Sequence, residues 1–129
     1  VLDFLIAAAS DKYAVAESAA ELALRELSPG LKIHALFKLG LLRFRAGEYR
    51  RAIVAFDSLR TITSNGFQFR AMFYALSHYW CGRCYEALGE ADRARVHYRK
   101  FLTLWAKGDA DLPDIRDARR RLAALERGA

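Results

Sequence analysis

The stretch ALSHYWCGRCYEALGEADRARVHYRKFLTLW, residues 75–105, establishes the architecture of this chain. It predicts two helices joined by a tight turn at Leu88-Gly89-Glu90. Apolar residues of the second helix recur at the spacing of a helix with one buried face. They are Ala94, Tyr98, Phe101, Leu102 and Trp105. The stretch therefore predicts a helical hairpin that packs on one side.

An earlier stretch, LFKLGLLRFRAGEYRRAIVAFDSLRTI at residues 36–62, repeats this plan 42 positions upstream. The same small and large residues recur in the same order, and two copies of one helix–turn–helix unit indicate a repeat protein. The matched pairs are Gly40 and Gly82, Gly47 and Gly89, Ala52 and Ala94, and Phe56 and Tyr98. Since such units usually repeat every ~34 residues, the surplus predicts one long helix from about Phe67 to Leu88.

These matched residues resemble those of the tetratricopeptide repeat family. The resemblance covers residues 10–105, with Cys81 where a leucine is usual and Arg43 where an aromatic residue is usual. It implies an all-α solenoid of tandem antiparallel helix–turn–helix repeats, with about seven helices and a C-terminal capping helix. The expected parts of this single domain are a degenerate repeat at 1–30, a repeat at 31–64, a repeat with an extended first helix at 65–107, and a capping helix at 111–127.

Each small residue has an expected physical role. Gly40 and Gly82 lie where the two helices of a pair cross closely, with Ala52 and Ala94 expected opposite them. Gly47 and Gly89 follow the first helix of each pair, where a left-handed cap favours glycine. In the degenerate repeat, Val1–Ala9 is expected to form a first helix. Its second helix is expected to turn Tyr13, Ala16, Ala20 and Ala23 inward.

The composition narrows the class of function. A net charge of +6 is spread over positions that mostly alternate with acids, so it indicates a solvated surface or acidic protein partners, and nucleic-acid binding is not expected. No apolar run suits a membrane span, and no signal peptide is evident. The two cysteines favour a reducing, cytoplasmic location. Since the chain begins at Val1, a fragment of a longer protein is expected.

The sequence offers little that favours catalysis. Cys81-Gly82-Arg83-Cys84 has the spacing of a thioredoxin motif, but it lies inside a predicted helix rather than at a helix N-terminus. His78, Cys81 and Cys84 follow one another at intervals of three, which turns His78 away from Cys84 and argues against a shared zinc ion. No nucleophile–base pair or phosphate-binding loop is present. We therefore expect no enzyme activity, no metal and no cofactor.

The resemblance also implies where a partner binds. The first helix of each pair lines the concave face of a repeat stack, and in the family these positions contact peptides or partner helices. The corresponding residues here are His34, Phe37, Leu41, Phe44, Arg45, Leu76, Tyr79, Arg83 and Glu86. Their aromatic, aliphatic and arginine side chains suit an amphipathic or acidic segment. The primary hypothesis is thus a non-catalytic protein–protein interaction module with a concave groove.

A second hypothesis is a self-associating or spacer element. The apolar residues 1–6 and the aromatic extension of the long helix both favour it. The residues expected to carry homodimer contacts are Phe67, Phe69, Phe73 and Tyr74. The C-terminal stretch is also similar to the closing repeats of large bacterial signalling proteins, which implies a place at the end of a multidomain chain.

Overall fold

The computed structural model describes residues 13–22, 24–63, 70–105 and 112–128. All of its regular structure is helical, and these ranges contain no strand. The helices are α1 (residues 13–22), α2 (Pro29–Arg45), α3 (Tyr49–Thr61), α4 (Arg70–Ala87), α5 (Ala91–Leu104) and α6 (Pro113–Arg127). The all-α prediction is confirmed. The seventh expected helix, at Val1–Ala9, lies outside the described residues, as do Ala23 and the expected start of α4 at Phe67.

The helices stack in chain order. From α2 onward each helix packs on the next, and α2 also contacts α4. Thus α2–α3 and α4–α5 form two antiparallel hairpins, and the first helices of the two hairpins lie side by side. This arrangement is the stack that a helical repeat protein requires.

Both hairpin turns use the same backbone geometry. Gly47 and Gly89 have φ angles of 79° and 76°, in the left-handed region where glycine carries no side-chain penalty. After α2, the N–H of Glu48 donates to the carbonyl of Arg43 at 2.9 Å. After α4, the N–H of Glu90 donates to Tyr85 at the same distance. These are Schellman caps, which satisfy carbonyls left unpaired at the helix ends.

The close crossings of the hairpins depend on the other two glycines. A Cβ atom at Gly40 would lie 2.4 Å from the Phe56 ring, and one at Gly82 would lie 2.7 Å from the Tyr98 ring. The prediction that these glycines permit close packing is correct, and the atoms nearest to each position belong to an aromatic ring of the second helix. Both rings are completely buried and form the centre of the core.

The packing of α1 differs from the expected one. Ala16 is exposed, whereas Glu17 is only 5% exposed. The Nε atom of Arg43 donates to Glu17 at 2.9 Å, and Nη2 of Arg43 donates to Glu21 at 3.1 Å. Arg51 from α3 also pairs with Glu17. An ionic cluster centred on the buried pair Arg43 and Glu17, rather than small apolar residues alone, therefore attaches α1 to the first hairpin.

The last helix covers the end of the second hairpin. Ile115 and Ala118 are buried against the core, and Leu122 and Leu125 pack on its edge. Arg116, Arg119 and Arg120 are exposed on the other side. The residue preceding the first turn is Leu112, with Pro113 at the first helical position. The inner and outer faces of α6 agree with those expected of a capping helix.

Candidate partner-binding surface

The residues expected on the concave side of α2 differ in how far their side chains are exposed. His34 and Arg45 are exposed, and Leu41 is half-buried. Phe37 packs against Phe73 of α4, with ring centroids 5.0 Å apart. The same ring also contacts Phe56 edge-on. Phe37 thus belongs largely to the core, whereas Leu41 and Arg45 remain accessible to a partner.

An aromatic cluster joins the two hairpins on this side. The Phe44 and Trp80 rings meet edge-on with centroids 5.1 Å apart. The Arg83 guanidinium lies 5.2 Å from the Phe44 centroid, 5.4 Å from that of Trp80 and 5.9 Å from that of Tyr79. Its side chain is 25% exposed. Three rings from two helices therefore hold one partly accessible cation by cation–π contacts.

We name Leu41, Phe44, Arg45, Leu76, Trp80 and Arg83 the aromatic–arginine surface. Leu76 and Trp80 are half-buried and lie one turn apart on α4. A cavity of about 420 Å³ adjoins the surface at Leu41 and Arg45, and Lys38 and Ala20 also line it. Trp80 was absent from the sequence-based set because it lies one position beyond Tyr79 in the helical pattern. Only its contact with Phe44 across the hairpins identifies it.

Two expected groove residues instead hold the last helix. Tyr79 is 2% exposed, and its hydroxyl donates to Asp117 of α6. Glu86 accepts hydrogen bonds from Tyr98 at 2.8 Å and from Arg121 of α6 at 3.3 Å. The expectation that Tyr79 lines an open groove is therefore corrected, because α6 covers this part of α4.

The carboxylate of Asp117 is the centre of this attachment. Burial alone would raise the pKa of Asp117, but hydrogen bonds from Tyr79, Arg121 and Arg120 outweigh it and lower the pKa to about 2. Burial and the bond to Asp117 raise the pKa of Tyr79 to about 12. Arg83 also donates to the Tyr79 hydroxyl at 3.0 Å. The network thus orients the part of the Arg83 guanidinium that faces α6.

The residues expected to carry self-association separate into three groups. Phe67 and Phe69 lie outside the described residues. Phe73 is buried between α2 and α4, where it packs against His34 and Phe37. Because Phe73 is only 8% exposed, the expectation that it carries homodimer contacts is corrected. Tyr74 is half-buried and packs edge-on against His78.

The two cysteines of the thioredoxin-like spacing are both fully buried in α4. Burial raises the pKa of each thiol to about 12. The Sγ atom of Cys81 lies 3.6 Å from the Arg60 guanidinium and 3.8 Å from Asp57. Since thiolate is the reactive form, this environment favours a structural role.

We expect both thiols to be inert in the folded chain. An aromatic disulfide reagent at pH 8 should modify Cys81 and Cys84 no faster than the chain opens, because neither thiol is exposed or ionised. In denaturant both should react at once. The release of thiolate measured by absorbance checks this. Rapid modification of Cys81 under native conditions, with an unchanged circular dichroism spectrum, would contradict it.

A histidine pair lies on the seam between α4 and α5. The Nδ1 atoms of His78 and His97 are 3.0 Å apart, so one ring donates and the other accepts. The His97 ring stacks on Tyr85, with centroids 5.3 Å apart. Burial, followed by the charge of Arg60, lowers the pKa of His78 to about 3 and that of His97 to about 4. Both rings are therefore neutral at neutral pH.

This pair predicts a loss of stability in mild acid. Unfolded histidines titrate near pH ~6.5, so between about pH 6.5 and pH 4 the unfolded chain binds protons that the folded chain does not. The stabilisation that the two neutral histidines provide is fully present above this window and is lost as the pH falls through it. We expect the free energy of unfolding to fall by about 2 kcal/mol between pH 7 and pH 5.5.

Urea unfolding at several pH values measures this slope. Exchanging the pair for His78→Leu and His97→Ala should flatten the slope, because these are the residues at the equivalent positions of the first hairpin, Leu36 and Ala55. His34→Gln, which changes the third histidine, is the matched control. An equally steep slope in the double variant would show that other groups carry the acid sensitivity.

Two further features concern metal binding and membrane insertion. Among the residues described, no group of three or more His, Cys, Asp or Glu side chains is placed to hold a metal ion. Within the same ranges, no helix is both long enough and apolar enough to span a bilayer.

The two stacked helical hairpins define an α-helical repeat protein. A family model described as tetratricopeptide repeat matches residues 34–62 and 77–107. The chain therefore carries two tetratricopeptide repeats at these positions, and repeats of this family generally mediate protein–protein interactions. No curated protein and no solved structure matches the chain.

Proposed function

We propose that the chain is a non-catalytic interaction module that binds a protein segment on its aromatic–arginine surface. The observation that carries this proposal is the position of Arg83, held by three rings at the junction of the two hairpins. A guanidinium held on aromatic faces keeps its orientation, so less side-chain entropy is lost when it pairs with a carboxylate. An ordered cation beside apolar rings is a typical interface anchor.

The partner segment is an amphipathic helix or an extended segment that carries Asp or Glu. Leu41, Leu76 and Trp80 provide the apolar contact area. Arg45 is exposed and forms no ion pair among the described residues, and Lys38 lies nearby on the adjoining cavity. In the part of the chain that the structure describes, Arg45 and Lys38 supply the unpaired charge of a positive rim around an apolar centre, and Arg83 adds to it although its Nη1 atom lies 3.9 Å from Asp117. Such a rim complements an acidic amphipathic segment.

The location that we propose is the cytoplasm, because both cysteines are free and a reducing compartment keeps thiols in this form. The repeat boundaries, the absence of catalysis and the place within a larger bacterial protein stay predictions. Self-association is the alternative function, and light scattering over a range of concentrations distinguishes it from a monomeric binding module.

A displayed library of random peptides, selected on the purified chain, tests the proposal. Selected peptides should be amphipathic and acidic. Fluorescence anisotropy should show about tenfold weaker binding to the Arg83→Gln variant, the usual loss when one interface anchor is removed. Arg45→Gln should also weaken binding, and because Arg45 is exposed it should leave the fold intact.

The matched control is Arg116→Gln, which removes an exposed arginine from the outer face of α6. It changes the net charge equally and should leave the affinity unchanged. Circular dichroism confirms that each variant is folded. Equal affinity for the wild type, Arg45→Gln and Arg83→Gln, or selection of basic peptides, would contradict the proposed surface.

A further inference from the structure

The histidine pair is a specific feature of the second hairpin. The equivalent positions of the first hairpin, 42 residues earlier, are Leu36 and Ala55. Both hairpins share the same glycine, alanine and aromatic contacts, so an apolar pair satisfies this position in the fold. The second hairpin instead buries two titratable rings, joined by a hydrogen bond of 3.0 Å between their Nδ1 atoms. Packing alone therefore does not require histidines at these two positions.

A cavity of about 330 Å³ opens on this pair. It is lined by cationic and hydroxyl-bearing side chains and by one ring of the pair, that of His78. The lining residues are Tyr74, His78, Arg99, Lys100, Thr103 and Leu104. Lys100 forms no ion pair within the described ranges, whereas Arg99 pairs with Glu126 at 2.7 Å. The cavity volume lies in the range of small-molecule pockets.

The charges around the pair favour an anion over a cation. Arg60 and Asp57 face it from α3, and Arg93 and Lys100 face it from α5. Asp57 is already paired with Arg60. The remaining charge is positive, which disfavours a metal ion between the two rings and favours a negatively charged ligand.

The cavity also has an apolar continuation. Tyr74 and Leu104 line a neighbouring cavity of about 450 Å³ as well, and Met72, Ala75 and Trp105 extend its apolar wall. A ligand that fits both cavities has a charged head near Lys100 and an apolar or aromatic part near Trp105.

From this arrangement we propose that the seam between α4 and α5 binds a small organic anion, with its carboxylate beside Lys100 and His78 and its apolar part towards Met72 and Trp105. The proposal is independent of the aromatic–arginine surface, since the two sites share no residue. It assigns the histidine pair and the unpaired lysine a common role.

The pair couples ligand binding to proton uptake. The Nδ1 hydrogen bond persists as long as one ring stays neutral, so the pair accepts one proton without losing its contact. Burial and neighbouring cations hold the pKa values of His78 and His97 at about 3 and about 4. A bound carboxylate offsets those cations and raises both pKa values. Binding therefore becomes stronger as the pH falls from 7 towards 5.

Octanoate and benzoate are suitable probes, with octylamine and benzylamine as cationic counterparts of the same shape. Backbone amide and histidine ring chemical shifts of the chain, followed during titration at pH 7 and pH 5, test for binding. The anions should shift signals of His78, His97 and Lys100. Their affinity, expressed for the ionised carboxylate because the probes are themselves partly protonated at pH 5, should rise roughly threefold or more at the lower pH. The amines should leave these signals unchanged.

Two variants make the test specific. Lys100→Gln should weaken anion binding about fivefold or more, since it removes the unpaired charge. The double change His78→Leu and His97→Ala restores the residue types of the first hairpin, so the chain should fold and lose the pH dependence of affinity. Arg116→Gln is the charge-matched control on α6. Absence of anion-induced shifts at the seam, equal shifts with the amines, or unchanged affinity in Lys100→Gln would overturn the proposal.

Discussion

Replacing Arg43 by methionine is expected to lower the free energy of unfolding by about 3–5 kcal/mol, the usual cost of leaving one member of a buried ion pair without its partner. Arg43 is 7% exposed, and Glu17 faces it at 5% exposure. Removal of the guanidinium leaves the Glu17 carboxylate buried with only the partly exposed Arg51 as a cation partner. The guanidinium also donates to the Arg51 carbonyl at 3.1 Å, and that bond is lost as well.

Urea unfolding followed by circular dichroism measures this effect. The double variant Arg43→Met with Glu17→Met should regain most of the lost stability, because it removes both charges and fills the space with apolar groups. Arg50→Met is the matched control, since Arg50 is largely exposed and its ion pair with Glu90 lies at the surface. A loss of less than ~1 kcal/mol in Arg43→Met, the size typical of exposed pairs, would show that the cluster does not attach α1.

The second large effect is expected at the helix crossing of the first hairpin. Gly40→Ala should destabilise the chain by about 3 kcal/mol, at the upper end of the usual cost of overpacking a core. The added methyl group would lie within 2.8 Å of three atoms of the Phe56 ring. That ring is fully buried and contacts Phe37, so it has little space into which to move. The clash outweighs the gain of ~1 kcal/mol that alanine brings to a helix interior.

Two other glycines are controls for this result. Gly128→Ala places its methyl group at ordinary contact distances of 3.7 and 3.8 Å, so it should be nearly neutral. Gly47→Ala meets no atom within 4 Å but requires a φ angle of +79°, so it isolates backbone strain from crowding. If the Gly40→Ala variant were as stable as the wild type in thermal and urea unfolding, crowding between position 40 and the Phe56 ring would be disproved.

The repeat pattern was sufficient to predict the helical hairpins. Gly47 and Gly89 are required by a left-handed backbone, and Gly40 and Gly82 by a close approach, so the sequence positions of these residues carry direct geometric information. The apolar spacing of α5 likewise predicts its buried face, where Ala94, Tyr98 and Phe101 are buried. These features arise from local contacts or from contacts within one hairpin, and periodicity detects both.

The contacts between distant helices could not be predicted in this way. Arg43 departs from the aromatic residue usual in the family, and only the approach of Glu17, 26 positions earlier, explains it. Tyr79 was expected in an open groove, but its bond to Asp117 spans 38 positions. Charged and polar residues have no periodicity that identifies a partner on another helix, so these pairings became evident only in three dimensions.

The same reasoning applies to the candidate binding surface. Phe44, Arg45 and Arg83 were identified from their positions in the repeat, but Trp80 was not, because it packs across the junction of α2 and α4. The part of the concave side that remains accessible is therefore smaller than the sequence suggested. It is centred on Arg83 rather than distributed evenly along both helices.

Hydrogen–deuterium exchange of the chain, alone and with a selected acidic peptide, tests the interaction surface most directly. Slower exchange should be concentrated in α2 and α4, in the segments that contain Leu41 to Arg45 and Leu76 to Arg83. The outer helices α3 and α5, where Val54 and Val96 are exposed, should be unchanged. Protection confined to α3 and α5, or to the outer face of α6, would contradict binding at the aromatic–arginine surface.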